Sequence, residues 1–447
     1  IYDKVKGWPG EVKGLKNVIR IEGTGPGTMA DLEKTGEAAP VRARYPQADD
    51  VAGLIYTSGT TGDPKGVLLT HGNFSSNAHA VIKTLNQLDD TVRTLSFLPW
   101  AHSYGQTGEL NVVMRLGGST GFAESPQTIV DDIAVVKPNF LVAVPRVFNR
   151  IYDGLCARMN ETGGLAKQLF DMGVSAGRHR RELLKEGKKS ALTELKFKIA
   201  DKVVFKKIRD KFGGRLDGAL TASALMNIDI SNFFLDIGIP VFDCYGLSET
   251  SPAVTMNCFS ANKRGSVGRP IAGVTLVIDK SVVEDGSDDG EIIVYGPNVM
   301  HGYHNKPEET DHAMRDHDGK IWLHTGDVAR MDEDGYFFIM DRSKDMLIVG
   351  GYKVFSREVE ETLYQHKAVE FCAIIGQPDP KRPGSEIVKA VIQLSKDAKN
   401  QDADTLKDNI KTYCRENMAP YKVPKIIEFI DAIPLTAVGK VDKKALR

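Results

Sequence analysis

Short strand-like apolar runs alternate with helix-length segments between residues 51 and 260, and this alternation restricts the fold more than any other feature. The runs include RTLSFLP (93–99), NFLVAVP (139–145) and IPVFDCYG (239–246), and residues 72–89 form one of the segments of helix length. Strands that alternate with helices are typical of parallel or mixed sheets covered by helices. We therefore predict an α/β fold for this part of the chain.

The pattern changes twice after residue 260. From about 265 to 340, short strand-like segments (GVTLVID, GEIIVYG, EDGYFFIMD) follow one another with Asp-Gly and Gly-Pro turn signals, which predicts a mostly antiparallel β subdomain. After Asp341, a helical segment (REVEETLYQH) and two strand-like segments (VEFCAIIGQPD, VKAVIQL) predict a small α+β domain. We expect a large domain over residues 1–341 and a small C-terminal domain over 342–447.

Composition limits the classes of function. The chain has 447 residues, is 41% hydrophobic and has a net charge of −1, so nothing predicts a general attraction to nucleic acid. Five scattered cysteines without a C-x-x-C pair argue against a disulfide framework or a structural zinc site and favour a reducing, cytoplasmic location. No apolar run reaches the roughly 18 residues of a membrane span. Because the first residue is Ile1 and not Met, we expect that further residues precede it in the natural protein.

Positive charge is concentrated in residues 178–215, which contain 14 Lys and Arg against 5 Asp and Glu. One interpretation is the solvated outer face of a helical region. The other is a patch that contacts anionic lipid, as peripheral contact with a membrane, or the phosphates of a large cofactor. The sequence does not predict an oligomeric state.

A loop rich in hydrogen-bond donors separates two apolar runs in the segment LIYTSGTTGDPKGVLL, residues 54–69. Glycines let successive backbone N–H groups converge on an anion, hydroxyl groups add donors, and Lys65 adds a positive charge. The common phosphate loop G-x-x-x-x-G-K-[ST] is not matched, because Lys65 follows Pro64 and precedes Gly66. We predict a nucleotide-phosphate loop of another type; the alternative is a mobile Gly/Thr hairpin loop.

Further short motifs carry groups suited to a nucleotide. YGLSET (245–250) offers an aromatic face in Tyr245, a hard oxygen ligand in Glu249 and a hydroxyl in Thr250. HTGD ends at Asp327, whose carboxylate can accept hydrogen bonds from two ribose hydroxyls. The segments DRSKDMLIVGGYKV and PLTAVGKVDKKALR follow, the second containing Lys440. Each motif taken alone is compatible with ordinary turn chemistry.

Together and in this order, these motifs resemble the adenylate-forming superfamily of acyl-CoA synthetases, firefly luciferase and the adenylation domains of peptide synthetases. The resemblance extends from about residue 40 to 447. AVPRVFNRIYDGL (143–155), the basic segment GRHRRELLKEGKKS and ADKVVFKKIRDKFGGRL (200–216) are most similar to long-chain fatty acyl-CoA synthetases. FLPWAHSYGQ (97–106) takes the place of the aromatic- and His-containing motif of that family's acyl site.

The resemblance implies a two-step reaction that uses ATP, Mg²⁺, CoA and a medium- to long-chain fatty acid. The carboxylate forms an acyl-adenylate with release of pyrophosphate, and CoA then takes the acyl group. The implied catalytic residues are Lys440, Glu249, Lys65 and Thr60, with Glu249 and Thr60 at the metal. The implied nucleotide-binding residues come from the loop and the later motifs: Thr57, Ser58, Gly59, Thr60, Thr61, Gly62, Lys65, Tyr245, Gly246, Thr250, Asp327 and Arg342.

The resemblance also implies a mobile C-terminal domain. Its hinge would lie at Lys344, and Gly350 and Gly351 would line the tunnel for the pantetheine of CoA; without the family, this Gly pair predicts a bulge or a tight turn. The implied acyl-site residues are His102, Trp100, Ala222, Ser223 and Ala224, although a core role for His102 and a packing role for Trp100 remain open.

One segment departs from the long-chain pattern. Where those enzymes carry a Gly-Gly-Ala-Pro-Leu turn against the adenine and the acyl chain, residues 221–226 read Thr-Ala-Ser-Ala-Leu-Met. The added Cβ atoms stand where backbone and ligand approach closely. This departure keeps open a catalytically impaired relative that binds nucleotide or acyl groups. A second alternative to a CoA ligase, independent of this turn, is an enzyme that loads the phosphopantetheine of a carrier protein.

Overall fold

A computed structural model describes most of the chain and divides it into two compact units, residues 1–47 and 48–447. The described residues are 2–57, 64–125, 127–224, 226–282, 288–342, 345–395, 397–399, 401–435 and 441–447.

The first unit contains three helices: α1 (Tyr2–Val5), α2 (Trp8–Glu11) and α3 (Met29–Ala38). Thr28 begins α3 as its N-cap, and its side chain accepts a hydrogen bond from the backbone N–H of Asp31. Such a cap satisfies one of the N–H groups that the first turn of a helix leaves free.

The second unit contains thirteen α-helices and twenty strands in its described residues. The helices are α4 (His71–Thr84), α5 (Ser103–Gly105), α6 (Val112–Leu116), α7 (Ile129–Val136), α8 (Pro145–Thr162), α9 (Gly164–Lys185), α10 (Ala191–Ala200), α11 (Lys206–Lys211), α12 (Ile228–Asp236), α13 (Pro307–Ala313), α14 (Ser356–Tyr364), α15 (Ala403–Asn417) and α16 (Lys443–Leu446). The strands are β1 (Val51–Thr57), β2 (Lys65–Thr70), β3 (Arg93–Ser96), β4 (Ser119–Phe122), β5 (Phe140–Ala143), β6 (Gly218–Thr221), β7 (Val241–Gly246), β8 (Ala253–Met256), β9 (Arg269–Pro270), β10 (Thr275–Asp279), β11 (Gly290–Tyr295), β12 (Gly302–Tyr303), β13 (Met314–His317), β14 (Lys320–Met331), β15 (Phe337–Arg342), β16 (Leu347–Val349), β17 (Tyr352–Val354), β18 (Val369–Pro378), β19 (Glu386–Leu394) and β20 (Ile426–Ile430). No helix among the described residues is both long and apolar enough to cross a membrane.

The central sheet of the large region has the order β5-β6-β7-β8-β9. Strands β5, β6 and β7 run parallel, whereas β8 and β9 are antiparallel to their neighbours. All four residues of β5 and of β6 are buried, as expected for strands covered on both faces. The carboxyl ends of β6 and β7 lead into the turn at 221–226 and the YGLSET motif, which places both at one edge of the sheet. The predicted α/β class is confirmed.

The predicted antiparallel β subdomain is also confirmed. Strands β10, β11, β14 and β13 are antiparallel neighbours in that order, and β15 pairs with β14 on another part of its length. A separate short sheet joins β1 and β2 to β12, so Gly302 and Tyr303 pair with the strand that follows the donor-rich loop in the sequence.

The C-terminal part forms an α+β arrangement, with the sheet β18-β19-β20 and the helices α14 and α15. Its core includes Val359, Leu363, Ile374, Ile392 and Ile410, which are all at most 1% exposed. These residues belong to the same compact unit as residues 48–341. The boundary at 341/342 and the mobility of the small domain therefore stay predictions.

Candidate active site

The donor-rich loop connects two paired antiparallel strands. Thr57 is the last residue of β1 and lies opposite Lys65, the first residue of β2. The Thr57 hydroxyl donates a hydrogen bond to the Lys65 carbonyl oxygen over 3.4 Å. The predicted phosphate-binding residues between them, Ser58, Gly59, Thr60, Thr61 and Gly62, lie outside the described residues.

Lys65 and Glu249 approach each other through a tyrosine that the sequence analysis missed. The Lys65 ammonium group lies 5.2 Å from the centre of the Tyr303 ring and forms an ion pair with Glu309. The Tyr303 hydroxyl donates a hydrogen bond of 2.9 Å to Glu249 Oε1. The hydrogen bond from Lys65 holds the pKa of Glu309 below its usual range. The predicted phosphate-binding cation and the predicted metal ligand are thus near neighbours.

A second group joins the YGLSET and HTGD motifs to the start of the DRSKD segment. The Tyr245 hydroxyl donates a hydrogen bond of 2.7 Å to Asp327 Oδ2, and Arg342 Nε lies 3.2 Å from Asp327 Oδ1. Asp327 and Arg342 are direct neighbours across β14 and β15. The Asp327 carboxylate is the main cause of the raised pKa of Arg342, and the charge of Glu249 adds to it. Three of the predicted nucleotide-binding residues and the predicted metal ligand Glu249 therefore form one electrostatic cluster.

Two other residues of YGLSET have structural roles. Thr250 is fully buried, and its hydroxyl lies 2.5 Å from the Pro252 carbonyl oxygen and 3.0 Å from the Leu247 backbone nitrogen. Gly246 lies against the Pro252 carbonyl oxygen, which a Cβ atom would approach to 1.9 Å. Glycine is therefore required at 246 by the close approach of Pro252. The Thr250 hydroxyl points into the turn between Leu247 and Pro252.

Glu291 is a further residue that the sequence analysis missed. Its Oε1 accepts a hydrogen bond of 2.7 Å from the Gly326 backbone N–H, next to Asp327, and its Oε2 lies 2.9 Å from His324 Nδ1. Asp279, Glu291 and His324 are the one group of three metal-ligating side chains found within the described part of the chain. Glu249 is not in this group, so its assignment to Mg²⁺ rests on the resemblance.

The predicted acyl-site residues Trp100 and His102 lie on a segment anchored by a buried glutamate. The Trp100 indole donates a hydrogen bond of 3.1 Å to Ser96 Oγ, which in turn donates one of 2.5 Å to Glu109. Burial raises the pKa of Glu109. His102 is half-buried directly before α5. The Tyr104 hydroxyl lies 3.2 Å from the Leu220 carbonyl oxygen, so this segment lies beside the end of β6 and the turn that follows.

Gly350 and Gly351 form the two-residue loop between β16 and β17, with φ angles of 59° and 89°. A two-residue hairpin of this kind favours glycine at both positions. The tight-turn interpretation is therefore confirmed, and the role in a CoA tunnel stays a prediction. The predicted hinge residue Lys344 and the predicted catalytic residue Lys440 lie outside the described residues.

Comparison with known proteins settles the family. A model of AMP-binding enzymes matches residues 3–304, and a model of the AMP-binding enzyme C-terminal domain matches residues 358–440. The chain belongs to the AMP-binding enzyme family. The resemblance inferred from the motifs is thereby confirmed.

Individual members of the AMP-binding family differ in substrate. The chain is 35% identical over 405 residues to the long-chain-fatty-acid–CoA ligase of Bacillus subtilis strain 168, and the match covers 89% of this chain and 61% of that protein. It is 32% identical over 406 residues to a feruloyl-CoA synthase of Amycolatopsis, covering 89% and 70%. The solved structure of ATP-bound MatB from Rhodopseudomonas palustris superposes with a TM-score of 0.70 at 27% identity, covering 92% and 71%. The chain thus spans about three fifths of the fatty-acid ligase that it matches.

The turn that departs from the long-chain pattern adopts a backbone conformation suited to glycine. Ser223 has a φ angle of 77°, in the left-handed region where an L side chain is strained. Ala222 is 8% exposed and belongs to the main core cluster, whereas Ser223 and Ala224 are exposed. The chain therefore keeps the glycine-like turn but carries a serine in it.

We expect the substitution Ser223→Gly to raise the free energy of unfolding by about 0.5–1 kcal/mol, because relief of left-handed strain exceeds the added entropy of the unfolded chain. Urea denaturation measures the change. Ala222→Gly is the matched control, since Ala222 has no positive φ and buries its methyl group; it should lower stability. A Ser223→Gly variant less stable than the wild type would contradict the strain at this position.

Asp243 is a buried acid two residues before Tyr245. Burial raises its pKa from 3.8 to about 7, and a hydrogen bond of 3.2 Å from the Met226 backbone N–H and the charge of Arg357 oppose this shift. Because its folded-state pKa lies above its unfolded-state value, the folded state binds the extra proton between about pH 4 and 7. Stability from this group is therefore lost as pH rises through that range.

We expect the wild type to lose about 2–3 kcal/mol of stability relative to Asp243→Asn between pH 5 and pH 8, because asparagine cannot ionise. Urea denaturation of both proteins at the two pH values measures this difference. Asp217→Asn, at an exposed position before β6, controls for general effects of charge. A wild type and Asp243→Asn variant with parallel pH profiles would show that Asp243 is ionised throughout.

Proposed function

We propose that the protein is an ATP-dependent acid–CoA ligase that forms an acyl-adenylate and transfers the acyl group to CoA. The observation that carries the proposal is the convergence of Tyr245, Asp327, Arg342 and Glu249 in one cluster, with Lys65 reaching Glu249 through Tyr303. These groups come from motifs up to 277 residues apart in the chain, and they are the ring, carboxylate and cations that a nucleotide requires.

In the first half-reaction, a carboxylate oxygen of the substrate forms a bond to the α-phosphorus of ATP, and the bond to the pyrophosphate oxygen breaks. The chain positions the phosphates and neutralises their charge. Lys65 would exchange its ion pair with Glu309 for the β- and γ-phosphates. Asp327 would accept hydrogen bonds from the ribose, and Tyr245 would stack on the adenine.

The Glu249 carboxylate offers hard oxygen atoms, which fits Mg²⁺, and the hydrogen bond from Tyr303 fixes the orientation of one of them. When bound, Mg²⁺ would reduce the charge repulsion among the phosphate oxygens. Lys440 would stabilise the charge that develops at the α-phosphate. In the second half-reaction, the CoA sulfur attacks the acyl carbonyl carbon and AMP leaves.

The two half-reactions place conflicting demands on one space, because a cation is needed near the α-phosphate first and an open path for pantetheine second. We therefore propose that residues 342–447 form a domain that turns about Lys344 between the steps. The apolar packing between this part and the preceding residues is limited in size in the described residues, which is compatible with such a movement. It includes a small apolar cluster of Val328 and Phe355 with Met340 and Met346 around it.

For the substrate we propose a medium- to long-chain fatty acid. Similarity to the long-chain-fatty-acid–CoA ligase of B. subtilis supports this choice. The similar identity to a feruloyl-CoA synthase makes an aromatic acid the second candidate. A carrier-protein phosphopantetheine is the alternative acceptor, and the altered turn at 221–226 motivates the third candidate, an impaired relative.

Pyrophosphate release and thioester formation, measured with octanoate, palmitate, oleate and ferulate, test this proposal. Each acid is assayed with CoA, with a phosphopantetheinylated carrier protein and without an acceptor. We expect acid-dependent pyrophosphate release and a CoA thioester with the fatty acids. Thioester formed only on the carrier protein would identify the carrier protein, and not CoA, as the acceptor. Fastest turnover with ferulate would identify an aromatic acid, and not a fatty acid, as the substrate. Nucleotide binding without pyrophosphate release would favour the impaired relative.

A further inference from the structure

One continuous helical segment is apolar on two opposite sides. It consists of α10, a π-helical turn over Asp201–Phe205, and α11. One side enters the core through Ala200, Phe205 and Ile208, which are at most 4% exposed. Amphipathic surface helices of globular proteins normally present one apolar stripe and a polar opposite face. This segment departs from that pattern on its outer side.

The outer side carries four aliphatic residues in a row, Leu192, Leu195, Ile199 and Val203, with exposed fractions of 62%, 56%, 43% and 40%. Their spacings of three, four and four residues place them on one helix face. Scattered exposed apolar residues are normal on protein surfaces, but a contiguous exposed stripe marks an interaction site. We refer to these four residues as the outer stripe.

Lysines border the outer stripe on both sides. Lys196, Lys198, Lys202, Lys206 and Lys207 are all exposed. Over residues 191–211 the chain has seven Lys and Arg against three Asp and Glu.

Two of the three acidic groups are held in pairs by arginines. Glu194 lies 2.7 Å from Arg180, and Asp201 lies 2.6 Å from Arg209. These pairs leave the lysines to dominate the charge around the outer stripe.

We propose that the outer stripe and its bordering lysines bind the surface of an anionic lipid bilayer, with the helix lying in the plane of the interface. Aliphatic side chains can enter the boundary between headgroups and acyl chains, while lysine stems extend along them and keep the ammonium groups at the headgroups. Anionic lipid matches the positive border by charge. This surface goes beyond the proposed function and does not depend on it.

Other occupants fit the same face less well. A second copy of the chain, related by two-fold symmetry about the outer stripe, would bring lysine borders against lysine borders and cause like-charge repulsion. A nucleic acid would match the lysines but would leave four aliphatic residues against phosphate and sugar. An anionic bilayer satisfies the apolar stripe and the positive border together.

Co-sedimentation with vesicles tests the proposal. Vesicles of phosphatidylcholine with about one third phosphatidylglycerol are compared with pure phosphatidylcholine at low and high salt. We expect binding to the anionic vesicles that weakens at high salt. The double variant Leu195→Glu/Ile199→Glu should weaken that binding at least tenfold. Lys198→Gln/Lys202→Gln should weaken it several-fold and reduce its salt dependence.

Matched controls separate this surface from general effects of charge and polarity. Leu165 and Met114 are each 71% exposed and lie on other helices, so Leu165→Glu/Met114→Glu should bind vesicles like the wild type. Lys83→Gln/Lys367→Gln, at exposed lysines elsewhere, should also bind like the wild type.

Three results would overturn the proposal. The first is no vesicle binding by the wild type, and the second is equal loss of binding in the stripe variant and its control. The third is a dimer in light scattering that the stripe variant abolishes, which would make the face an interface between copies. Circular dichroism and thermal unfolding of every variant show that loss of binding does not arise from unfolding.

Discussion

Replacing Lys440 by alanine is expected to slow acyl-adenylate formation by about 10²–10³-fold, because a preorganised cation at the developing charge contributes on this scale. Thioester formation from pre-made acyl-adenylate should stay near the wild-type rate, since the α-phosphate carries no new charge in that step. Single-turnover measurements of both half-reactions on one preparation test this separation.

The matched control for this variant is Lys444→Ala, which removes an exposed lysine from the same C-terminal segment. It should leave both half-reactions unchanged. Equal slowing of both half-reactions by Lys440→Ala would count against a role limited to the first step. An unchanged first step would remove Lys440 from the catalytic machinery altogether.

The alternation of apolar strands with helical segments was sufficient to predict the α/β class, because burial on both faces leaves a continuous apolar run such as that in β5. Short strands with Asp-Gly turns likewise predicted the antiparallel sheet of β10, β11, β13, β14 and β15. The ring of Tyr245 and the carboxylate of Asp327 were identified from motifs, and the fold joins them by a hydrogen bond. Local patterns thus identified groups whose contact depends on long-range pairing.

Tyr303, Glu309 and Glu291 could not be found in the same way. Tyr303 reaches Glu249 because β12 pairs with β2, and this pairing of strands far apart in the chain leaves no periodic signal in the segment HGYHNKPEET. Glu291 lies within an apolar strand, and its partner Gly326 comes from a strand that is a neighbour only in the folded sheet. The one signal in the sequence that could have identified Glu291 was its charge inside an apolar strand.

Proline in place of Lys344 is expected to separate the half-reactions in the opposite sense from Lys440→Ala. Proline fixes φ near −65° and removes a backbone donor, whereas a hinge residue must change its backbone angles widely. If the adenylating arrangement is the one retained, pyrophosphate release continues while thiolation falls by about 100-fold, a scale set by misplacement of the reacting groups.

The residues around this position give the expectation a structural basis. The Arg342 carbonyl oxygen accepts hydrogen bonds of 3.0 Å from the backbone N–H groups of both Asp345 and Met346, so the described residues on the two sides of the predicted hinge are in direct contact. On either side, Asp341 accepts a hydrogen bond of 3.3 Å from the Arg357 backbone N–H, and Asp345 pairs with Arg447 over 2.7 Å. A rotation at Lys344 would have to exchange the hydrogen bonds that Arg342 and Asp341 accept from later residues, whereas the Asp345–Arg447 pair lies wholly after the hinge and would move as a unit. Proline restricts the backbone at the point where that exchange begins.

Lys344→Ala is the control, because it removes the same side chain and keeps the backbone free; both of its half-reactions should proceed near the wild-type rate. The competing explanation is an ordinary surface loop, where proline would cost about 1 kcal/mol of stability and slow both steps alike. Single-turnover rates of acyl-adenylate formation and of thiolation, measured on the same folded variant, distinguish the two. A folded Lys344→Pro variant with both rates near wild type would refute the hinge at this position and, with it, the proposal that residues 342–447 move as a domain.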